Sequence, residues 1–323
     1  MTDVSSSRPR VLVFAYHDVG SECLDALIQR GEHIVAVFTH QDNPREHIWF
    51  KSVAELAQRH GIAVFKPESV NVPEWVTRIR ELQPDIILSF YYRDMISQAI
   101  LDLPRLGAFN MHGSLLPRYR GRVPINWAIL RGERETGASL HYMVKRADAG
   151  DIVDQEPVAI GAEETAKDVF IKVTAAARRV LERSIDAIKS GNSPRRIQDE
   201  SQASYFGGRK PEDGRIDWHQ GAVEIFNLIR AVTHPYPGAF TEINGRPLYI
   251  WWARPRPDVD AGTHAPGEII SAAPLCVATG NGNLELVHVQ WQDGAETETA
   301  AGTHGLQAGD RFNVARRSAA VSK

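Results

Sequence analysis

The sequence predicts a mixed α/β protein, in which a mostly parallel sheet is followed by a smaller β-barrel domain of the OB type. Its 323 residues are the length of two domains. In the first half, short apolar runs alternate with stretches of helical spacing, which is the pattern of an open parallel sheet with helices on both faces. In the second half, one helix precedes five short strands with turn signals, as in a small barrel.

The elements of the first half follow from apolar periodicity and from the positions of glycine and proline. Runs of apolar and β-branched residues predict buried strands at residues 10–15, 33–39, 62–65, 85–90 and 107–111. Helical spacing predicts helices at residues 22–30, 48–60 and 73–82. Gly31 and Gly61 are expected to end the first two helices, and Pro73 stands in the first turn of the third.

The pattern changes at Thr136. Alternation by two predicts a hairpin of strands at 136–143 and 152–159, and a helix is expected at 163–190. Beyond it, a helix is expected at 222–232 and strands at 239–243, 247–253, 267–271, 275–279 and 284–289. The polar stretch between these parts has no clear period and is predicted to be a linker. The expected organisation is therefore an N-terminal domain at 1–192, a linker at 193–208, an OB-like domain at 209–313 and a tail at 314–323.

Composition and charge exclude several classes of protein. The 37 lysines and arginines against 40 aspartates and glutamates leave a formal charge of −3, which argues against a broadly basic nucleic-acid-binding protein. Cys23 and Cys276 are too few for a disulfide framework. No apolar run reaches about 18 residues, and the polar N-terminus lacks the apolar core of a signal peptide. A cytoplasmic protein without membrane insertion is expected.

Common cofactor and hydrolase motifs are missing from the sequence. The first strand–helix turn reads YHDVG and lacks the G-x-G-x-x-G of dinucleotide binding. No G-x-x-x-x-G-K-[ST] loop and no G-x-S-x-G elbow occurs. The histidines form no H-E-x-x-H motif and no cluster with cysteine, so no metal is expected.

The strongest candidate for a reactive site begins in the strand at 107–111. Asn110 and His112 are two residues apart, so their side chains share one face of that strand. An amide can stabilise an oxyanion, and an imidazole can carry a proton. A carboxylate of the segment KRADAGD, either Asp148 or Asp151, is expected to orient the imidazole. Taken singly, these residues are more typical of a turn asparagine, a structural histidine and a turn aspartate than of a catalytic site.

The stretch FNMHGSLLPRYRGRVPINWAI, followed by TGASLHYMVKRADAGDIV, closely resembles the 10-formyltetrahydrofolate-dependent formyltransferases. The resemblance covers most of the chain, from about residue 10 to residue 311. The Asn-x-His pair of that family matches Asn110 and His112, and the aspartate of its D-x-G turn matches Asp148. The resemblance implies a Rossmann-like N-terminal domain and an OB-like C-terminal domain.

The resemblance also implies roles. An amine of the acceptor would attack the formyl carbon of 10-formyltetrahydrofolate, with Asn110 binding the oxyanion and His112 carrying a proton. Asp148 would orient His112 and move the amine proton, and Ser114 would shape the loop near the site. The folate would be bound by residues on two loops and one arginine, namely the main chain of Asp94, Met95 and Ile96, together with Arg122, Val144, Lys145, Arg146, Ala147 and Asp148.

The charge distribution favours a small acceptor over a nucleic acid. Relatives that formylate methionyl-tRNA carry a basic insertion after the second strand, but the charges of residues 42–51 sum to zero here. Residues 209–323 contain 11 basic and 13 acidic residues. A tRNA-binding domain is expected to concentrate positive charge that neutralises phosphates.

The stretches VFAYHDVG, VFTHQDNP and SFYYRDMI resemble the ArnA-type formyltransferase domain of bifunctional polymyxin-resistance proteins. The resemblance implies formylation of the 4-amino group of UDP-4-amino-4-deoxy-L-arabinose, in lipid A modification. The decarboxylase half of such proteins is not among these 323 residues. The chain is therefore either a stand-alone enzyme, with a separate decarboxylase as a candidate partner, or a piece of a longer protein.

The sequence leaves other activities open. The main alternatives are a methionyl-tRNA formyltransferase and an enzyme that formylates another nucleotide-linked amino sugar. A formyltetrahydrofolate hydrolase and an OB-type nucleic-acid-binding protein are less well supported, because the first usually has an additional N-terminal domain and the second leaves Asn110, His112 and Asp148 without a role.

Overall fold

The computed structural model describes residues 8–44, 46–259, 261–302 and 304–313. The tail predicted at 314–323 lies outside the described residues. The chain divides into two compact units. The first contains residues up to Pro124, Glu135–Ala159 and Phe170–Gly207, and the second contains Ile125–Arg134, Ile160–Val169 and the chain from Gly208 onward.

The strands and helices are numbered in chain order. The strands are β1 Arg10–Ala15, β2 His33–Phe38, β3 Val64–Phe65, β4 Ile86–Phe90, β5 Ala108–His112, β6 Arg120–Gly121, β7 Glu135–Tyr142, β8 Ile152–Ala159, β9 Tyr205–Phe206, β10 Ala239–Ile243, β11 Arg246–Arg256, β12 Ile269–Ala272, β13 Leu275–Ala278, β14 Asn283–Trp291 and β15 Glu296–Glu298. The α-helices are α1 His17–Gln29, α2 Val53–Arg59, α3 Pro73–Glu81, α4 Gln98–Leu101, α5 Pro124–Leu130, α6 Ala166–Lys189 and α7 Ala222–Val232.

The first unit is built on a seven-stranded sheet of order β3-β2-β1-β4-β5-β7-β8. The strands from β3 to β5 are parallel, and β7 and β8 are antiparallel additions at one side. One face of this sheet supports a core cluster that includes Leu12, Phe14, Phe38, Ile87 and Ala108. The parallel-dominated α/β domain expected from the sequence is confirmed.

Two helices of the first unit differ from their predicted bounds. Helix α1 begins at His17 rather than at residue 22, because the extended Tyr16 already accepts the first helical hydrogen bond, from Gly20. Helix α2 begins at Val53 rather than at residue 48. The Ser52 side chain caps it by accepting the N–H of Glu55, so the preceding residues remain outside the helix.

The segment at 193–208, predicted as a linker, belongs to the first unit up to Gly207. It contains a short 3₁₀ helix at Glu200–Gln202 and strand β9, which pairs with β6 in parallel. Polar composition predicted a linker, but the polar groups here hydrogen-bond within the unit. The domain boundaries at 192 and 208 stay predictions.

The second unit carries an antiparallel sheet of order β10-β11-β14-β13-β12, with β15 on β14. Helix α7 contacts β11 of this sheet. Backbone groups of residues 309–313 hydrogen-bond both to Gly267 and Ile269, beside and on β12, and to Glu242 of β10. The smaller antiparallel β domain expected from the sequence is confirmed. None of the helices described here combines the length and apolarity needed to cross a bilayer.

Candidate active site

A cluster of polar side chains lies on one face of the first sheet, at β5 and β7. Asn110 and His112 are two residues apart on β5 and therefore share a face, which is also the face of Ala108 in the core cluster. The antiparallel register pairs Asn110 with His141 of β7, and directly paired residues point to the same side of a sheet. His112 is 6% exposed and His141 is 2% exposed. Both imidazoles are therefore largely removed from bulk water.

Asp148 lies at the centre of this cluster. Its Oδ1 atom is 3.5 Å from each of three nitrogens, His112 Nδ1, His141 Nε2 and Asn110 Nδ2. Its Oδ2 atom accepts a hydrogen bond of 2.9 Å from the N–H of Gly121. One carboxylate therefore faces the Asn110–His112 pair and a second histidine at once.

Hydrogen bonds to carbonyl groups assign the protons of the two histidines. His112 Nε2 lies 2.8 Å from the carbonyl oxygen of Tyr119, and His141 Nδ1 lies 2.8 Å from that of Tyr142. Because a carbonyl oxygen only accepts, both nitrogens carry a proton. The other ring nitrogen of each histidine lies 3.5 Å from Asp148 Oδ1, and His141 Nε2 is also 3.2 Å from Asn110 Nδ2. These contacts direct the NH₂ group of Asn110 and both imidazoles toward the same carboxylate.

The surroundings keep Asp148 ionised. Burial by itself would raise the pKa of this carboxyl, but the His112 and His141 imidazoles and the Gly121 N–H hold that pKa well below its usual range. A proton that arrives at His112 Nδ1 is stabilised by the adjacent carboxylate. The arrangement is therefore suited to proton transfer at that nitrogen.

Two unusual backbone conformations bring Asp148 to the sheet. Asp148 has a φ of +54°, in the left-handed region that residues other than glycine seldom occupy. Gly121 has a φ of +99°, and a Cβ atom there would overlap the carbonyl oxygen of Phe206. The N–H that binds Asp148 therefore requires glycine at position 121.

Asp151, the alternative carboxylate of the sequence analysis, lies apart from the cluster. Its side chain is 3.6 Å from Arg195, and its carbonyl oxygen accepts the N–H of Tyr142. The geometry favours Asp148 as the carboxylate beside His112. Ser114 donates a hydrogen bond of 2.6 Å to the carbonyl oxygen of Arg118, so it shapes the loop after β5.

The loop after β4 contains Asp94, Met95 and Ile96, the residues expected to bind folate through the main chain. Ile96 is buried, whereas Met95 is 58% exposed. Asn71 donates to the Met95 carbonyl and accepts the N–H of Ser97, each at 2.8 Å. The N–H and C=O of Ile96 make no hydrogen bond to any described residue. Asn71 thus holds both sides of a residue whose own backbone groups remain available.

The other candidates for folate binding lie near Asp148 in the chain. Val144, Lys145 and Arg146 are exposed residues of the loop that carries Asp148, and Ala147 is half-buried. Arg122 is exposed and follows Gly121 directly. Among the described residues, no hydrogen bond joins this loop to residues 94–96. Whether the two groups bind one ligand stays a prediction.

Sequence reasoning missed two residues of this region. His141 lies in a strand that was predicted, but its partner on the neighbouring strand depends on a long-range register that the local pattern does not encode. Asn71 precedes α3 and belongs to no recognisable motif. A histidine in the strand next to the Asn110 strand was the available signal for the first, and the second had none.

The described part of the chain contains no group of three or more His, Cys, Asp and Glu side chains that could hold a metal ion.

Two family profiles match the chain. One, described as formyl transferase, matches residues 8–185, and the other, described as formyl transferase, C-terminal domain, matches residues 209–305. The first match alone spans more than half of the chain. The protein therefore belongs to the formyl transferase family, and the expected class of enzyme, a formyltransferase, is confirmed.

Solved structures share the fold at low sequence identity. HypX from Aquifex aeolicus, solved in complex with tetrahydrofolic acid, is 19% identical with a TM-score of 0.62, and the match covers 94% of this chain and 49% of HypX. The chain thus spans about half the length of HypX. WlaRD, a sugar 3N-formyl transferase solved with dTDP and 5-N-formyl-THF, is 18% identical with a TM-score of 0.65, over 90% of this chain and all (100%) of WlaRD.

An N-formyltransferase from Helicobacter canadensis, solved with folinic acid and dTDP-3-aminofucose, is 19% identical with a TM-score of 0.64. That match covers 87% of this chain and 99% of the other. At these identities the likeness concerns the fold.

Proposed function

We propose that this protein transfers the formyl group of 10-formyltetrahydrofolate to the amino group of a nucleotide-linked amino sugar. The observation that carries the proposal is the carboxylate of Asp148 facing both Asn110 and His112, in a chain of the formyl transferase family. The finer proposal is that the acceptor is the 4-amino group of UDP-4-amino-4-deoxy-L-arabinose.

The cluster supplies what an amine and a formyl carbon need in order to react. One N–H of Asn110 faces His141, and the other has only a 3.5 Å contact with Asp148. That second N–H is therefore available to the oxyanion that forms when the amine nitrogen attacks the formyl carbon. Asp148 accepts the proton of the attacking amine, directly or through water, and His112 shares that proton at Nδ1. When the intermediate collapses, the proton passes to the folate nitrogen as its bond to the formyl carbon breaks.

The loop after β4 has the character of a site for a flat heterocycle. The backbone of Ile96 offers one donor and one acceptor side by side, and its side chain is buried. An amide-like edge of the pteridine would complement that pair. Arg122 is the exposed guanidinium next to Gly121 and suits a carboxylate of the folate. The two neighbours solved with folate derivatives and a dTDP compound support this assignment as relatives in fold.

The charge of two parts of the chain supports a small acceptor. The neutral stretch at 42–51 and the slightly acidic residues 209–323 favour a small anionic nucleotide sugar over a tRNA, which needs many phosphate contacts. The cytoplasmic location and the separate decarboxylase partner stay predictions.

The test is a comparison of acceptors with the whole protein and 10-formyltetrahydrofolate, in which release of tetrahydrofolate is followed. The acceptors are UDP-4-amino-4-deoxy-L-arabinose, a dTDP-linked 3-amino sugar and charged initiator methionyl-tRNA, with a no-acceptor control that detects hydrolysis. We expect turnover with the UDP sugar and none with the tRNA.

Each outcome has a separate meaning. Turnover with the dTDP sugar alone keeps the general proposal and rejects the finer one. Turnover with the tRNA alone rejects the charge argument, and release of tetrahydrofolate without any acceptor indicates a hydrolase. No reaction under any condition, with a folded protein, rejects the proposed use of this folate donor.

A further inference from the structure

The segment that follows β8 and α6 in the chain returns to the polar cluster. Gln198 is 6% exposed and uses all of its amide hydrogen-bonding groups within the first unit. Its Nε2 atom donates to the carbonyl oxygens of Asp148 at 2.9 Å and Gly150 at 2.6 Å. The side chain therefore holds the backbone of the carboxylate that faces Asn110 and His112.

The other end of the Gln198 amide is fixed by a buried cation. Arg120 is 0% exposed, and its Nε and Nη2 atoms donate to Gln198 Oε1 at 3.0 and 2.7 Å. The remaining N–H groups of Arg120 reach Glu200 and the hydroxyl of Tyr205. A guanidinium without these partners would be an uncompensated buried charge, so the contacts define the position of the amide closely.

The same segment holds the loop that touches the cluster from the opposite side. The Ser204 hydroxyl accepts the N–H of Tyr119 and its carbonyl accepts the N–H of Arg120, each at 2.9 Å. The Phe206 carbonyl accepts the N–H of Arg122, also at 2.9 Å. These bonds flank the two backbone groups that contact the cluster. The Tyr119 carbonyl contacts His112 Nε2, and the Gly121 N–H donates to the Asp148 carboxylate.

We propose that Gln198, held by Arg120, is a positioning residue of the active site that acts through Asp148. The inference rests on the proposed function, since it assumes that Asp148 takes part in formyl transfer. Gln198 contacts no reacting atom. Its amide keeps Asp148 in the left-handed conformation from which the carboxylate reaches His112.

The test is Gln198→Glu, which preserves the size of the side chain and gives Arg120 a carboxylate partner. It replaces the Nε2 donor with an oxygen that faces the carbonyls of Asp148 and Gly150. We expect kcat to fall roughly 10- to 100-fold, the range seen when supporting or misplaced groups are altered. The KM values for folate and acceptor should stay close to those of the unaltered protein. A purely structural role would lower the melting temperature and leave the kcat of the folded fraction unchanged.

Gln202→Glu is the matched control, because Gln202 is an exposed residue of the same segment whose side chain, within the described part of the chain, bonds only to Asp199. It should leave kcat unchanged. If Gln198→Glu does not fold, Gln198→Met removes the amide without adding charge and is expected to show the same loss of kcat at unchanged KM.

Asp148→Asn is assayed in parallel to separate the two proposals. An inactive Asp148→Asn beside a fully active Gln198→Glu overturns the positioning role alone. An active Asp148→Asn overturns the proposed chemistry on which the positioning role depends.

Discussion

Two histidines of the first unit lie at the ends of parallel strands of the same sheet, but their surroundings differ. His112, at the end of β5, faces the Asp148 carboxylate at one ring nitrogen and a carbonyl oxygen at the other. His17, just after β1, stacks on Phe50 at 3.9 Å between ring centroids and lies against Trp49 and Phe170.

The aromatic surroundings of His17 give its imidazole a different character from that of His112. Burial, with a smaller contribution from the charge of Arg93, lowers the pKa of His17 to about 3, so its imidazole remains neutral and acts as one more aromatic ring. Its Nδ1 atom accepts the N–H of Asp18 at 3.0 Å, a bond within the first turn of α1. We infer that the groups facing the two ring nitrogens, rather than the place of a histidine at a strand end, decide whether it is suited to proton transfer.

The largest effect is expected when the negative charge beside His112 is removed. Asp148→Asn keeps the shape of the side chain but removes the carboxylate that faces His112, so kcat should fall on the order of 10³- to 10⁴-fold, as for an aspartate that supports a catalytic histidine. The measurement is the rate of tetrahydrofolate release at saturating substrates. Asp151→Asn, three residues along the same loop, is the control and should remain active.

Replacing each of the two histidines with leucine tests the contrast between their surroundings directly. His112→Leu should lose roughly 10²- to 10⁴-fold in kcat, because a proton carrier is removed. His17→Leu should retain its activity and lose about 1 kcal/mol of stability, because the side chain still packs among aromatic rings but no longer accepts the N–H of Asp18. Comparable losses of kcat in the two variants would mean that the contrast between the two surroundings has no bearing on the chemistry.

Removal of the amide donor is expected to have a somewhat smaller effect. Asn110→Ala deletes the N–H assigned to the oxyanion, and the loss of one such donor costs roughly 10²- to 10³-fold in kcat. The KM of the acceptor should change little. A variant with normal turnover would exclude Asn110 from the oxyanion site.

Asn71 holds the loop after β4 rather than either histidine. Its replacement should therefore weaken folate binding rather than slow the chemical step. Asn71→Ala releases the Met95 carbonyl and the Ser97 N–H, each held by a single hydrogen bond worth about 1 kcal/mol. We expect the KM for the folate to rise several-fold at nearly unchanged kcat. The affinity for 5-formyltetrahydrofolate, measured by calorimetry, should weaken in parallel, and an unchanged affinity would separate this loop from the folate.

The smallest expected effect concerns stability against pH. Because the pKa of Asp148 is lower in the folded protein than in the unfolded chain, its ionised form stabilises the fold above the unfolded value of about 3.9. This contribution is lost as the pH falls from that value toward the lower folded one. Denaturant unfolding of Asp148→Asn should therefore depend less steeply on pH in the acidic range than that of the unaltered protein. Parallel curves for the two proteins would show that the carboxyl is not held ionised by folding.

Much of the fold was predictable because it depends on local pattern. The bounds of β1, β8, β10 and α7 are those expected from apolar periodicity and turn residues. The starts of α1 and α2 were less predictable, since they depend on which group accepts or caps the first turn. The polar segment at 193–208 was assigned to a linker because composition does not show whether polar groups face water or other polar groups.

The sequence by itself determined the α/β alternation, the antiparallel second domain and the shared face of Asn110 and His112, because the periods of strand and helix are properties of neighbouring residues. Only the tertiary structure decided that His141 stands opposite Asn110, that Asp148 rather than Asp151 approaches His112, and that Gln198 holds Asp148 in place. These depend on strand register and on hydrogen bonds between residues far apart in the chain, and such contacts form only when the whole sheet and its loops have packed.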